Sequence, residues 1–99
     1  MMNNTENLLV IAMEEAAEVQ QAIAKSLRFG MSNYYAEQPT NSMCILTEYY
    51  QLQAVIEELQ KSEVLPSLSH DVVDSIKKAK ISKVNYYNEE SRRCERLND

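Results

Sequence analysis

Ninety-nine residues, 44% of them hydrophobic, with one Gly and two Pro, define a single small domain over 1–99 with the composition of an all-helical protein. A net charge of −5 argues against duplex nucleic acid as the main ligand, because phosphate-backbone binding relies on clustered Lys and Arg. No apolar run approaches the ~20 residues of a membrane span, and the polar start, Met1 to Asn7, lacks the basic segment of a signal peptide, so the expectation is a cytoplasmic protein with no membrane partner.

The first helix is expected from about Thr5 to Phe29, with Asn4 or Thr5 as its N-cap and Gly30 taking a left-handed turn at its end. Its opening stretch, Leu8-Leu9-Val10-Ile11-Ala12-Met13, is apolar all round, which predicts that it meets the core on one face and a second subunit on another. Residues 31 to 40 read as a connecting loop, in which Tyr34 and Tyr35 are candidates for a lid. The second helix begins near Thr40 to Ser42 and runs to about Gln60, with Ile45, Leu46, Tyr49, Leu52, Val55, Ile56 and Leu59 spaced as a buried stripe.

Lys61 to Leu68, containing Pro66, forms the second break. Ser69 caps the third helix, with Asp71 and Asp74 near its positive end and Arg92, Arg93 and Arg96 near its negative end. Val72, Val73, Ile76, Ala79, Val84, Tyr87, Cys94 and Leu97 recur along it at roughly helical spacing. So short a chain buries a modest core, and a homodimer or homotetramer whose paired helices complete a four-helix bundle is the expected remedy. Cys44 and Cys94, fifty residues apart with no CxxC, fit neither a zinc site nor a disulfide framework and read as buried or half-buried thiols.

Chemistry concentrates in two polar couplets, Glu15-Ala16-Ala17-Glu18 and Glu48-Tyr49-Tyr50-Gln51, each set in an apolar helix. Residues i and i+3 share a helix face, so each couplet can aim two oxygens at one spot, and two such helices packed together make a cage for a hard cation. An acidic run on one helix usually lies in water. The matching interruption on the second helix keeps the cage open beside that reading, because facing carboxylates repel and raise each other's pKa unless a cation joins them. Mg²⁺ suits such a set, accepting carboxylate and water oxygens and leaving positions for phosphate.

Glu14-Glu15-Ala16-Ala17-Glu18-Val19 through Lys25-Ser26-Leu27-Arg28-Phe29-Gly30, followed by Glu48-x-x-Gln51 with Leu52 and Ala54-Val55-Ile56, resembles the MazG-like all-α nucleoside triphosphate pyrophosphohydrolases, in particular their short phage-encoded members. The segment Lys80-Ile81-Ser82-Lys83-Val84 with Tyr87 and Ser91 is similar to the last helix of those members. The resemblance implies a MazG-like domain of three main helices. It also implies hydrolysis of a nucleoside triphosphate to monophosphate and pyrophosphate with Mg²⁺, or Mn²⁺, held by ExxE on one helix and ExxD on the next. By position Glu15, Glu18 and Glu48 match those ligands, with Glu15 or Glu18 as general base. Gln51 stands where the family has Asp; its carbonyl can coordinate, but it brings no charge, which weakens metal binding or abolishes turnover.

Lys25 and Arg28, one turn apart beyond the acids, either reach a phosphate or snorkel from the helix end. Lys80 and Lys83 share a face and either meet a polyphosphate or stay in water. Of the Tyr doublets at 34-35, 49-50 and 86-87, one ring of each is expected in the core, and Tyr49 or Tyr50 is a candidate to stack on a base. His70 reads as a cap-region or surface residue. Two rivals to the hydrolase remain open on sequence: a non-catalytic protein that binds or sequesters a nucleotide or nucleotide-like signal, and a plain helical interaction module.

Overall fold

The computed structural model describes residues 1–34 and 39–98, so the lid expectation for Tyr35 lies outside the described residues. Three helices account for the regular structure there: α1, Asn4–Phe29, α2, Asn41–Lys61, and α3, His70–Arg93. No strand occurs among the described residues, and the all-α expectation stands. The chain divides into two compact units, Met1–Ser67 and Leu68–Asp99.

Local chemistry sets the helix ends. The N-cap of α1 is Asn3, earlier than expected: its side chain accepts from the Glu6 backbone N–H at 2.8 Å and donates to Glu6 Oε1 at 3.2 Å. That reciprocal pair across one turn captures the helix start. Gly30 closes α1 with φ 99° and ψ 143°, which is not the left-handed helical turn anticipated but an extended, positive-φ conformation open essentially to glycine alone. Thr40 caps α2 through Met43 N–H at 3.4 Å. Beyond Lys61 the chain reverses with Glu63 at φ 65°, where Glu63 N–H donates to Gln60 C=O and Val64 N–H to Leu59 C=O, both at 3.0 Å. This is a Schellman ending with glutamate in the position glycine prefers.

Unit one is an antiparallel helical hairpin. α1 packs on α2, Glu18 meets Glu48 at mid-helix, and Met31 lies beside Ser42 at the loop end, where Ser42 N–H donates to Met31 C=O at 2.9 Å. The partly or fully buried positions of α1 include Leu8, Ile11, Glu15, Ala22 and Ser26; those of α2 include Asn41, Ile45, Glu48, Leu52, Val55 and Leu59. Steps of three and four mark one stripe on each helix, the packing seam of an antiparallel pair. Ala22 and Ser26 are small enough to admit α2, and the buried Ser26 hydroxyl is satisfied by the Ala22 carbonyl at 3.0 Å.

A two-helix seam covers only one stripe per helix. Leu9, Met13, Ile23 and Leu27 on α1, and Leu46 and Tyr49 on α2, are therefore exposed, correcting the expectation that Leu46 and Tyr49 belong to a buried stripe. Tyr50 is exposed as well and stands edge-on to Tyr49, with ring centroids 4.9 Å apart.

In unit two, Ser69 caps α3 as expected, accepting from Val72 N–H at 3.3 Å. Lys78–Asp74 at 2.9 Å and Arg93–Glu90 at 2.8 Å are ion pairs along the helix surface. A second Schellman ending, with Glu95 at φ 59° and Arg96 N–H donating to Ser91 C=O at 2.7 Å, stops α3 at Arg93 and leaves Arg96 and Leu97 beyond it. No α3 side chain is fully buried; Val72, Ile76, Val84, Tyr86 and Tyr87 are exposed. Neither ring of the 49-50 or 86-87 doublets is a core residue: all four are exposed, and the rings of each pair stand edge-on to one another. Cys94 is exposed and Cys44 half-buried, so the burial expected of both thiols holds only for the latter.

Candidate functional site

The hairpin seam carries three acids where a helical pair normally carries apolar side chains. Glu15 and Glu18 from α1 and Glu48 from α2 each bring a carboxylate oxygen to within 4.8 Å of the other two. Glu15 and Glu48 are half-buried, and Glu18 is exposed. The Oε2 atoms of Glu15 and Glu48 are shielded from solvent and have no hydrogen-bond partner among the described residues. Buried acceptors are seldom left so, since an unsatisfied one costs the desolvation of the group.

The electrostatics follow from the crowding. Glu15 is raised above the ordinary carboxyl value of 4.5, first by loss of hydration and then by the charge and hydrogen bond of Glu18, with Glu14 adding to it. Glu48 is also raised, first through its hydrogen bond with Glu18, then by desolvation and by the charges of Glu18 and Glu15; Lys25 opposes this and lowers it. Two agents relieve such a cluster: a proton shared between carboxyls, or a cation. The three ligand atoms lie within 4.8 Å of one another, and the two unpartnered Oε2 atoms are acceptors that such an ion would satisfy.

Glu18 and Glu48 open onto a cavity of about 730 Å³, whose wall also includes Gln21, Lys25, Phe29, Asn33, Tyr34, Asn41 and Cys44. Lys25 thus shares the space with the acids. Arg28 does not line it; its guanidinium lies 4.8 Å over the Phe29 ring. Tyr34, one of the lid candidates, is exposed on the cavity wall. Gln51, one position short of the seam residue Leu52, is exposed and lines a separate shallow groove with Met43, Leu46, Thr47, Tyr50 and Ala54. Lys80 and Lys83 are exposed on α3 of unit two.

Sequence reasoning passed over Gln21, Asn33, Asn41 and Cys44. The polar residues flanking Phe29-Gly30 and opening α2 were the available signal. They read as loop and cap chemistry, because nothing in their spacing shows that the hairpin folds them toward the acids.

The geometry defines a class of site, a carboxylate cluster between two helices with a lysine beside it in an open cavity. Compared with known proteins, the chain matches no family model, no curated protein and no solved structure.

Proposed function

We propose that the protein is a Mg²⁺-dependent nucleotide pyrophosphohydrolase that converts a nucleoside triphosphate to the monophosphate and pyrophosphate. The observation that carries this reading is the convergence of Glu15, Glu18 and Glu48 from two helices, with two shielded, unpartnered oxygens, beside a cavity that also holds Lys25. The MazG-like resemblance of the same residues supplies the reaction. Assembly of helix pairs into a four-helix bundle and a cytoplasmic location belong to this proposal.

Glu15, Glu18 and Glu48 would hold Mg²⁺, which when bound neutralises phosphate charge and makes water easier to deprotonate. Glu18 is suited to the general base, because it is exposed and lines the cavity while Glu15 does not. It takes the proton as the water oxygen bonds to the α-phosphorus and the bond to the bridging oxygen breaks, releasing pyrophosphate. Lys25 offsets charge on the polyphosphate, and Glu48 with Glu15 fixes the electrostatics around Glu18.

Gln51 favours a second reading, in which the same pocket binds a nucleotide without cleaving it. It brings no charge at the position of the family Asp, and it lines the outer groove of α2. Pyrophosphate release from a panel of ribo- and deoxynucleoside triphosphates with Mg²⁺ or Mn²⁺ separates the two. Expected for the hydrolase is metal-dependent release that falls by about 10²–10⁴-fold in Glu18→Ala, the usual span for loss of a general base. A silent parent whose Tm still rises with nucleotide establishes the binding protein instead, and a parent that neither cleaves nor binds nucleotide removes both readings.

A further inference from the structure

Resting on the nucleotide reading above, we infer that the cavity wall at the loop end of the hairpin is a base-reading subsite, with the Asn33 side chain as its principal specificity determinant and Tyr34 and Phe29 as its aromatic surface. The wall is built by one knot of hydrogen bonds. Gly30 C=O accepts from Asn33 N–H at 3.3 Å and from Asn41 Nδ2 at 2.8 Å, while Asn33 C=O accepts from Asn41 N–H at 2.8 Å. Ser42 N–H on Met31 C=O, at 2.9 Å, ties the same two strands of loop. The knot depends on the extended, positive φ of Gly30, which turns its carbonyl toward both asparagines.

Asn41 spends an amide N–H on the knot, which fixes its side chain and leaves its Oδ1 as an acceptor on the wall. Among the described residues Asn33 enters the knot through its backbone alone, and its side-chain amide, with two donors and an acceptor, makes no hydrogen bond to them. Phe29 and Tyr34 add two half-open rings, and Arg28 covers Phe29 by a cation–π contact. One fixed amide and one unbonded amide beside aromatic surface suit a planar heteroaromatic group with a hydrogen-bonding edge. From Asn41 to Glu48 is two helical turns, about 10 Å along α2, so phosphates at the carboxylates leave a base at the knot. A polyphosphate alone uses none of this wall.

The test is equilibrium binding, with Mg²⁺ present, of inorganic tripolyphosphate and of a panel of α,β-methylene nucleoside triphosphate analogues, which cannot be cleaved at that bridge and differ only in base. The proteins are the parent, Asn33→Ala and Tyr34→Ala, none of which disturbs the knot. Mass spectrometry of thiol alkylation is the second readout, because Cys44 lines the cavity and Cys94 is exposed in the other unit. In the parent, the favoured nucleotide should bind at least about tenfold tighter than both tripolyphosphate and the least favoured base, the effect of one well-placed hydrogen bond, and should shield Cys44 but not Cys94. Asn33→Ala should flatten the base ranking and Tyr34→Ala should weaken all nucleotides, with tripolyphosphate affinity unchanged in both. Equal parental affinity for tripolyphosphate and every nucleotide overturns the subsite while sparing the polyphosphate site. An unchanged base ranking in Asn33→Ala overturns the role of Asn33. A parent that binds no phosphate compound overturns the underlying nucleotide reading as well.

Discussion

At the residue scale the seam acids make the sharpest prediction. Glu15 and Glu48 have pKa values raised above 4.5, so over the window between 4.5 and their folded values the native state holds more protons than the unfolded chain. Stability from this source is complete below pH 4.5 and is lost as pH rises through the raised values. Metal-free Glu48→Gln, which keeps a neutral side chain at all pH, should therefore melt above the parent at neutral pH, and the difference should vanish below 4.5. Mg²⁺ should reverse the order, raising the parent Tm increasingly as the carboxyls ionise and raising the variant little. Melting curves across pH with chelator and with Mg²⁺ check both signs. A parent insensitive to divalent ions would leave the cluster as a proton-sharing triad only.

At the element scale, glycine and glutamate occupy positive-φ positions with opposite consequences. A Cβ on Gly30 meets nothing closer than Asn33 Cβ at 3.9 Å, so Gly30→Ala strains the backbone without a clash and should cost about 1–3 kcal/mol. It should also loosen the Asn33–Asn41 wall. Glu63 at φ 65° carries the reverse strain, and Glu63→Gly should stabilise by about 0.5–1 kcal/mol, since glycine suits the left-handed position closing α2. Chemical denaturation of the two variants beside the parent reads both; a change of the same sign in each would show that local φ does not govern these ends. The ends also mark how far a sequence speaks for its elements. Ser69 was legible as a cap because its hydroxyl reaches the N–H group three residues on. The stop at Arg93 was not, because Glu95 takes a conformation that a sequence reader reserves for glycine.

For the molecule as a whole, the apolar surface left outside the seam carries the prediction. Leu9, Met13, Ile23 and Leu27 are exposed on α1 with Met43 and Leu46 on α2, because a hairpin has one interface and these helices are apolar on more than one face. The proposed association of copies should make Tm rise with protein concentration. Scanning calorimetry over a hundredfold range, paired with sedimentation, measures it, and a flat Tm with monomer mass would remove the four-helix assembly. Among the described residues no helix is long and apolar enough to cross a membrane, so this surface is not that of a spanning segment.

The sequence by itself determined the three helices and two breaks, since few Gly and Pro, hydroxyl caps and 3.6-residue periodicity are local properties. It also marked Glu15, Glu18 and Glu48 as a set, because acids interrupting two apolar helices stand out in one dimension. Only the tertiary structure decided which faces meet. Antiparallel packing put those three acids in the seam, brought Lys25, Asn33 and Asn41 to one cavity with them, and placed Gln51 on another groove. The physical reason is angular. Each residue turns a helix by about 100°, so Gln51 and Leu52 differ by one place in sequence but by more than a right angle in direction, and the direction that matters is set by the partner helix.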